Sequence, residues 1–309
     1  LSLNRKTSSP ANTANCLSNR QNEASMLENT FCHAPGIGPT TEQKLWNAGF
    51  LSWGDVINGD SLPLGPRKTE ALKRRLDESI AHLANGNPAF FYERLPSDQQ
   101  WRLFPHFTDS VAYFDIETTG LRPLEDYITT IVLYDGESLR HYVQEDNLRE
   151  FNKAIEPYHL IVTYNGKSFD APFVRNYLGG SIDQAHIDLR YVLGSLGFRG
   201  GLKGCEQQLG IVRNGAEEID GYFAVLLWFD YYRNGNERAL ETLLAYNAMD
   251  VVNLETLMVM AYNLKVQETP FATSHELPVP VQPDIPFTPD AETVGRIRRE
   301  LGWEICYAP

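Results

Sequence analysis

Val111-Ala112-Tyr113-Phe114-Asp115-Ile116-Glu117-Thr118-Thr119-Gly120 is the stretch on which the fold turns. Its first seven residues read as a buried strand, and Thr118-Thr119-Gly120 reads as the turn that ends it. Side chains two apart on a strand share a face. Asp115 and Glu117 therefore project together, while Phe114 and Ile116 face the other way. Two carboxylates so placed repel each other unless a cation sits between them. The plain alternative for such a pair is a solvated strand edge.

Working outward, Tyr127 to Tyr134 and Leu139 to Val143 read as two more strands, joined by an Asp135-Gly136 turn. Asn147 to Ile155 reads as a helix and Leu160 to Tyr164 as a fourth strand. A further helix opens near Ser168, with Pro172 in its first turns where the ring is tolerated. Later helices are expected over Leu202 to Leu209, Gly221 to Tyr232 and Glu237 to Asn263. Three meandering strands followed by helix, strand and helices is the order of a ribonuclease-H-like α/β fold, a mixed sheet flanked by helices.

Two more segments carry acidic residues in telling places. In Tyr164-Asn165-Gly166-Lys167-Ser168-Phe169-Asp170, a strand passes into a helix, so Asp170 falls in the first helical turn near the sheet's end. An Asp there also complements the helix dipole, and Asn165 and Gly166 also suit a bare turn. In Tyr246-Asn247-Ala248-Met249-Asp250, inside the long helix, Tyr246 and Asp250 stand one turn apart on one face. Leu243, Leu244 and Leu254 mark that face as buried, and a buried Asp is costly unless it is paired or bound to metal. A hydrogen-bonded Tyr–Asp pair is the structural alternative.

Four carboxylates offer oxygen donors, which suit Mg²⁺ or Mn²⁺ rather than zinc. Two such ions about 4 Å apart can hold an attacking water and a leaving 3′ oxygen. Tyr246 is placed to orient that water or help take its proton.

The Asp115–Leu121, Asn165–Asp170 and Tyr246–Asp250 segments resemble motifs I, II and III of the DEDD exonucleases, and the Tyr four before the last Asp resembles the DEDDy branch. More closely, the chain resembles the YprB-type ribonuclease-H-like exonucleases. That likeness rests on Trp101-Arg102-Leu103-Phe104, His186-Ile187-Asp188-Leu189, Gly201 to Ile211, Ala224 to Trp228 and Asn247, and covers roughly residues 26 to 265. The resemblance implies a 3′→5′ exonuclease using two divalent cations, Mg²⁺ or Mn²⁺, on single-stranded DNA or RNA with a free 3′ end. It implies Asp115, Glu117, Asp170 and Asp250 as metal ligands and Tyr246 as the water-orienting group. Asn165 would touch substrate or brace the site, and Thr118 and Thr119 would meet the terminal nucleotide through backbone N–H groups. Asp188 is a weaker candidate that serves at least as well as a structural strand-end or cap residue.

Upstream, Pro35-Gly36-Ile37-Gly38-Pro39-Thr40 resembles the turn of a helix-hairpin-helix module, and Leu64-Gly65-Pro66-Arg67-Lys68 resembles a degenerate second copy. Gly36 and Gly38 would let backbone N–H groups approach a phosphate at a helix N-terminus, with Arg67 and Lys68 beside it. Glu42 stands where such motifs usually carry Ala, and an acid there is expected to weaken phosphate binding. Packing against the nuclease domain is the competing role for this module.

The expected organisation is a disordered stretch over residues 1 to 24, rich in Ser, Asn and Thr, and the helical module over 25 to 88. The exonuclease domain follows over 89 to 267, opening with a connecting segment from Ala89 to Asp109, and a Pro-rich tail over 268 to 309 is expected to close with a short helix from Ala291 to Leu301. Four distant cysteines without a CxxC pair argue against a zinc ribbon or disulfide framework and fit a reducing cytoplasm. No apolar run is long enough to span a bilayer. The net charge of −13 is unusual for a protein that grips phosphate. Local basic patches at Arg67–Arg75 and Arg296–Arg299 offset it, unless each is simply a solvated helix face. A non-catalytic nucleic-acid-binding or adaptor protein on the same fold is the alternative reading, and an endonuclease is a third.

Overall fold

Alternation along β1 (Val111–Thr118) divides the sheet into two faces. Ala112, Phe114 and Ile116 join one apolar cluster; Val111 and Tyr113 join the other, and Asp115 and Glu117 continue that second side. The computed structural model describes residues 26–213 and 220–301; the stretch expected to be disordered falls outside the described residues. Antiparallel β2 (Ile128–Tyr134) and β3 (Leu139–Val143) lie on one side of β1, and parallel β4 (Leu160–Thr163) and β5 (Ala185–Asp188) on the other, in the order β3-β2-β1-β4-β5. This mixed sheet flanked by helices is a ribonuclease-H-like α/β fold. A bulge between Glu117 and Thr118 interrupts the register with β2 just where the second carboxylate emerges.

The helices before the sheet are α1 (Pro39–Asn47), α2 (Trp53–Asn58), α3 (Pro66–Ala84) and α4 (Pro88–Tyr92), followed by a 3₁₀ segment at Ser97–His106. Ser52 and Asp55 form a reciprocal capping box that starts α2. The segment expected to be a mere connection buries Trp101, Leu103 and Phe104. These residues share one continuous apolar cluster with Leu45, Trp46, Trp53 and the sheet.

Glu42 explains how the module is attached. Its side chain is fully buried, accepts from the Phe31 N–H at 2.6 Å and the Cys32 N–H at 3.2 Å, and pairs with Arg102 at 2.8 Å. The expectation that this acid opposes phosphate is therefore corrected, because the carboxylate points inward and ties α1 to the 3₁₀ segment.

Within the sheet domain, α5 (Phe151–Ile155) and α6 (Asp170–Phe173), the latter continuing as a π turn over Val174–Leu178, cover the face of Phe114 and Ile116. The opposite face receives α7 (Leu189–Ser195), α8 (Gly201–Gln208), α9 (Gly221–Asn234) and the 31-residue α10 (Glu237–Gln267). Asp220 caps the start of α9, and Gly235 ends it in the left-handed region at φ +66°.

The Pro-rich tail is extended and packed. Phe271 meets Trp46 edge-on, Leu277 exchanges two hydrogen bonds with Asn263, and Gln282 reaches Asn253. Further on, Thr288 and Asp290 bond Glu241 and Thr242, so the segment runs back along α10 toward its N-terminus. A final helix, α11 (Ala291–Glu300), is fixed by the Arg296–Asp230 ion pair and by Arg298 against Phe223. The basic residues Arg296 and Arg298 are thus engaged within the chain. No helix among the described residues is long and apolar enough to cross a membrane.

Candidate metal centre

The period of β1 brings Asp115 and Glu117 onto the face that α10 covers, and α10 brings Asp250 to them. One carboxylate oxygen from each lies within 4.8 Å of the others, the group of three that can hold a metal ion. Asp170 stands beside this group. It is buried at the start of α6, and its Oδ1 accepts the Ile116 N–H at 3.2 Å, which ties it to the backbone of β1 between Asp115 and Glu117.

Electrostatics follows from this crowding. Burial pushes the Asp115 carboxyl well above the ordinary range, and the charges of Asp170, Asp250 and Glu117 push it further. Burial, then Asp250 and Asp170, raise Glu117 to about 8. Burial raises Asp170 to about 7 against the opposing backbone N–H bonds. Asp250 is raised by burial, and the nearby Arg213 opposes the shift. Carboxyls held in a nest this unfavourable to their own charge are the donors that a hard divalent cation stabilises. An all-oxygen set fits Mg²⁺ or Mn²⁺ and does not fit a zinc ribbon.

Tyr246 is buried one turn before Asp250, with the Lys203 ammonium 4.6 Å from its ring centre. Burial and the Asp250 charge raise its phenol, so the group keeps its proton at neutral pH.

The turn after β4 is built by a different carboxylate. Asp188 accepts from the backbone N–H groups of Asn165 at 2.7 Å, Lys167 at 3.1 Å and Arg190 at 3.0 Å, which makes it both the cap of α7 and the brace of the turn. Asn165 sits at φ +67°, and its side-chain oxygen accepts from Arg190. Gly166 is required there, since an added Cβ would lie 2.2 Å from the Thr163 hydroxyl. Thr118 donates its hydroxyl to the Gly120 carbonyl, and the Thr119 N–H donates to the Tyr127 carbonyl at 3.0 Å.

In the N-terminal module, exposed Gly36 takes φ +73° and half-buried Gly38 caps α1. Lys68 donates to the Gly36 carbonyl at 3.4 Å, which brings the two turns together, and Arg67 is exposed in the first turn of α3. These four residues lie apart from the carboxylate group.

Two polar side chains at the centre escaped the sequence reading as functional residues in their own right. Asn247, fully buried, donates Nδ2 to Asp115 Oδ2 at 3.0 Å and contacts Thr130 Oγ1 at 3.5 Å. Its place three before Asp250 on a helix, hence the same face, was the available signal. Arg213, buried, contacts Asp250 directly. A single Arg after a loop carries no periodic signal.

Fold and site together define a ribonuclease-H-like domain with an acidic centre. Residues 112–262 match the family model of the RNase H superfamily, which spans the sheet and most of α10. No curated protein matches the chain. Among solved structures, the family B DNA polymerase from the hyperthermophilic archaeon Pyrobaculum calidifontis aligns at 17% identity over 50% of this chain and 29% of that one, with a TM-score of 0.33. A structure described as the apo form of the nuclease aligns at 18% identity over 52% of this chain and 75% of that one, with a TM-score of 0.36. The chain thus spans under a third of the polymerase's length.

Proposed function

We propose that the protein is a metal-dependent 3′→5′ exonuclease that hydrolyses phosphodiester bonds at a free 3′ end of single-stranded DNA or RNA. The observation that carries this reading is the meeting of Asp115, Glu117 and Asp250 oxygens within 4.8 Å, from residues 135 positions apart at the extremes. Asp115, Glu117 and Asp250, with Asp170 beside them, would hold two Mg²⁺ or Mn²⁺ ions. When bound, such ions lower the pKa of water and offset charge growing on the phosphate.

The chain's own groups complete the chemistry. Tyr246, kept protonated by burial, orients the attacking water through its hydroxyl and leaves proton removal to the acidic centre. Asn247 holds one oxygen of Asp115, so the other stays directed into the site. Asn165 and the Thr118-Thr119 turn flank the centre at the ends of β4 and β1, where a terminal nucleotide would enter. Because the Thr119 N–H and the Asn165 amide oxygen are engaged internally, these residues shape the entry through their backbone course. Gly36, Gly38, Arg67 and Lys68 provide a separate phosphate contact on the outer side of the N-terminal module.

The test is incubation of the purified chain with 5′-labelled single-stranded DNA and RNA in Mg²⁺, Mn²⁺ or chelator. A metal-dependent ladder shortening from the 3′ end, absent with Asp115→Ala and Asp250→Asn, is the expected result. Internal cuts would reassign the chain to the endonucleases. Binding without cleavage in any metal would leave a nucleic-acid-binding protein.

A further inference from the structure

Arg213 occupies a position that the exonuclease chemistry does not require. Its Nε and Nη2 donate to the two oxygens of Glu206 at 2.5 and 2.7 Å, a bidentate clamp, and both side chains are almost wholly buried. The remaining arm, Nη1, contacts Asp250 Oδ1. Glu206 in turn accepts from Asn253 Nδ2 at 2.8 Å, and Asn253 Oδ1 accepts from Gln282 on the tail. A planar fork gripped on one edge cannot follow a moving partner, so its free arm fixes the direction of whatever it touches. It also presents a positive charge to a cluster of carboxylates that repel one another.

We propose that Arg213 is the built-in counterion of the acidic centre: a positioning residue, clamped by Glu206, that orients Asp250 and sets how tightly the cluster takes up divalent cations. The proposal rests on the metal-binding reading above. A fixed cation at Asp250 relieves part of the repulsion that an incoming Mg²⁺ or Mn²⁺ would otherwise relieve, so the incoming ion gains less by binding. Removing the guanidinium charge should therefore do two things at once. It should lower the stability of the metal-free chain, and it should strengthen metal binding.

The experiment uses the full chain, with MnCl₂ as the probe and no nucleic acid. Thermal unfolding is followed in chelator and in saturating Mn²⁺, and Mn²⁺ affinity is measured by calorimetry. Arg213→Gln should unfold at a lower temperature than the parent in chelator and show a larger Mn²⁺-induced rise, with Mn²⁺ bound roughly tenfold more tightly. Arg213→Lys, which restores charge without the fork, should return the affinity toward the parent's value. The Glu206→Gln/Arg213→Gln double variant leaves neither charge buried alone and should keep the larger Mn²⁺ response. If the Gln variants lose the same stability in both buffers with unchanged affinity, Arg213 merely packs and the proposal falls. A variant folded only with Mn²⁺ supports it, and one unfolded in both buffers, double variant included, overturns it. A parent chain that binds no Mn²⁺ removes the metal reading itself, a result distinct from a parent that binds and variants that do not differ.

Discussion

Replacing Asn247 by Leu tests whether the acidic centre depends on a single buried amide. The two side chains share the same number of heavy atoms and the same branch at Cγ, so the change removes a donor without opening a cavity. The structure gives Asn247 Nδ2 one strong acceptor, Asp115 Oδ2 at 3.0 Å, while Asn247 Oδ1 accepts weakly from Thr130 Oγ1 at 3.5 Å. A hydrogen bond to a charged group contributes about 1.5–3 kcal/mol. If that energy holds Asp115 in its reactive direction, its loss slows turnover by about 10- to 100-fold, since each 1.4 kcal/mol is about a decade in rate. Substrate contacts are untouched, so KM should hardly move. The assay is steady-state cleavage of 5′-labelled single-stranded DNA at saturating Mn²⁺, with circular dichroism confirming the fold. Thr130→Val, which removes only the weaker contact, is the control and should stay within about threefold of the parent. A folded Asn247→Leu protein with kcat within twofold of the parent would refute the positioning role of the amide.

Tyr246→Phe should cut kcat by about 100-fold, the lower end of what a positioned acid–base group contributes, while calorimetric Mn²⁺ affinity stays unchanged; a large affinity loss would make the phenol a ligand rather than an orienter. Glu42→Gln leaves the Arg102 guanidinium buried without its counter-charge and should cost about 3 kcal/mol in urea unfolding, so a loss under about 1 kcal/mol would mean the pair is dispensable. Gly166→Ala drives a Cβ to 2.2 Å from the Thr163 hydroxyl, so the turn must move; cleavage should fall more than tenfold, and parent-like rates would show that the turn yields freely. Burial, and then the Lys167 charge, lower His186 to about 3, so it is neutral in the fold and protonates first in the unfolded chain. Its contribution is complete above its ordinary value near 6.5 and is lost as pH falls toward 3. The drop in urea midpoint between pH 7 and 4 should be smaller for His186→Gln than for the parent, and equal drops would contradict a buried neutral ring.

Local periodicity made some features legible and hid others. Alternation along Val111–Thr118 announced both the strand and the shared face of Asp115 and Glu117, because a strand's period is written in consecutive residues. The helical spacing of Tyr246 and Asp250 worked the same way. The strand Ala185–Asp188 is hard to read locally because four residues give too short a pattern, and its partner β4 supplies the order that its own sequence lacks. The segment around Trp101 read as a connection because 3₁₀ geometry blurs the apolar period, although its large side chains fill the core. Glu42 reads locally as an acid set against phosphate because its partner, Arg102, stands 60 residues away. Arg213 and the course of the tail along α10 were invisible for the same reason. Their partners are set by packing, and nothing adjacent in sequence names them.

In the proposed reading the N-terminal module need not choose between gripping phosphate and supporting the ribonuclease-H-like domain, because the two roles fall to different faces. Glu42, Trp46 and Trp53 face inward, whereas Gly36, Arg67 and Lys68 face solvent. The inner face also reaches the acidic centre by way of α10. Trp46 packs on Phe271, and His275 bonds Asn29, just past the C-terminal end of that helix. At the other end, Asp290 and Arg296 tie the tail to Thr242 and Asp230. α10 is therefore pinned at both ends by segments outside the sheet, and it carries Tyr246, Asn247 and Asp250 between those pins. Ligand geometry tolerates displacements of only a fraction of an ångström. Module and tail add restraint at the two ends of α10 to that of the sheet, and one apolar cluster joins all three from Met26 to Ile297.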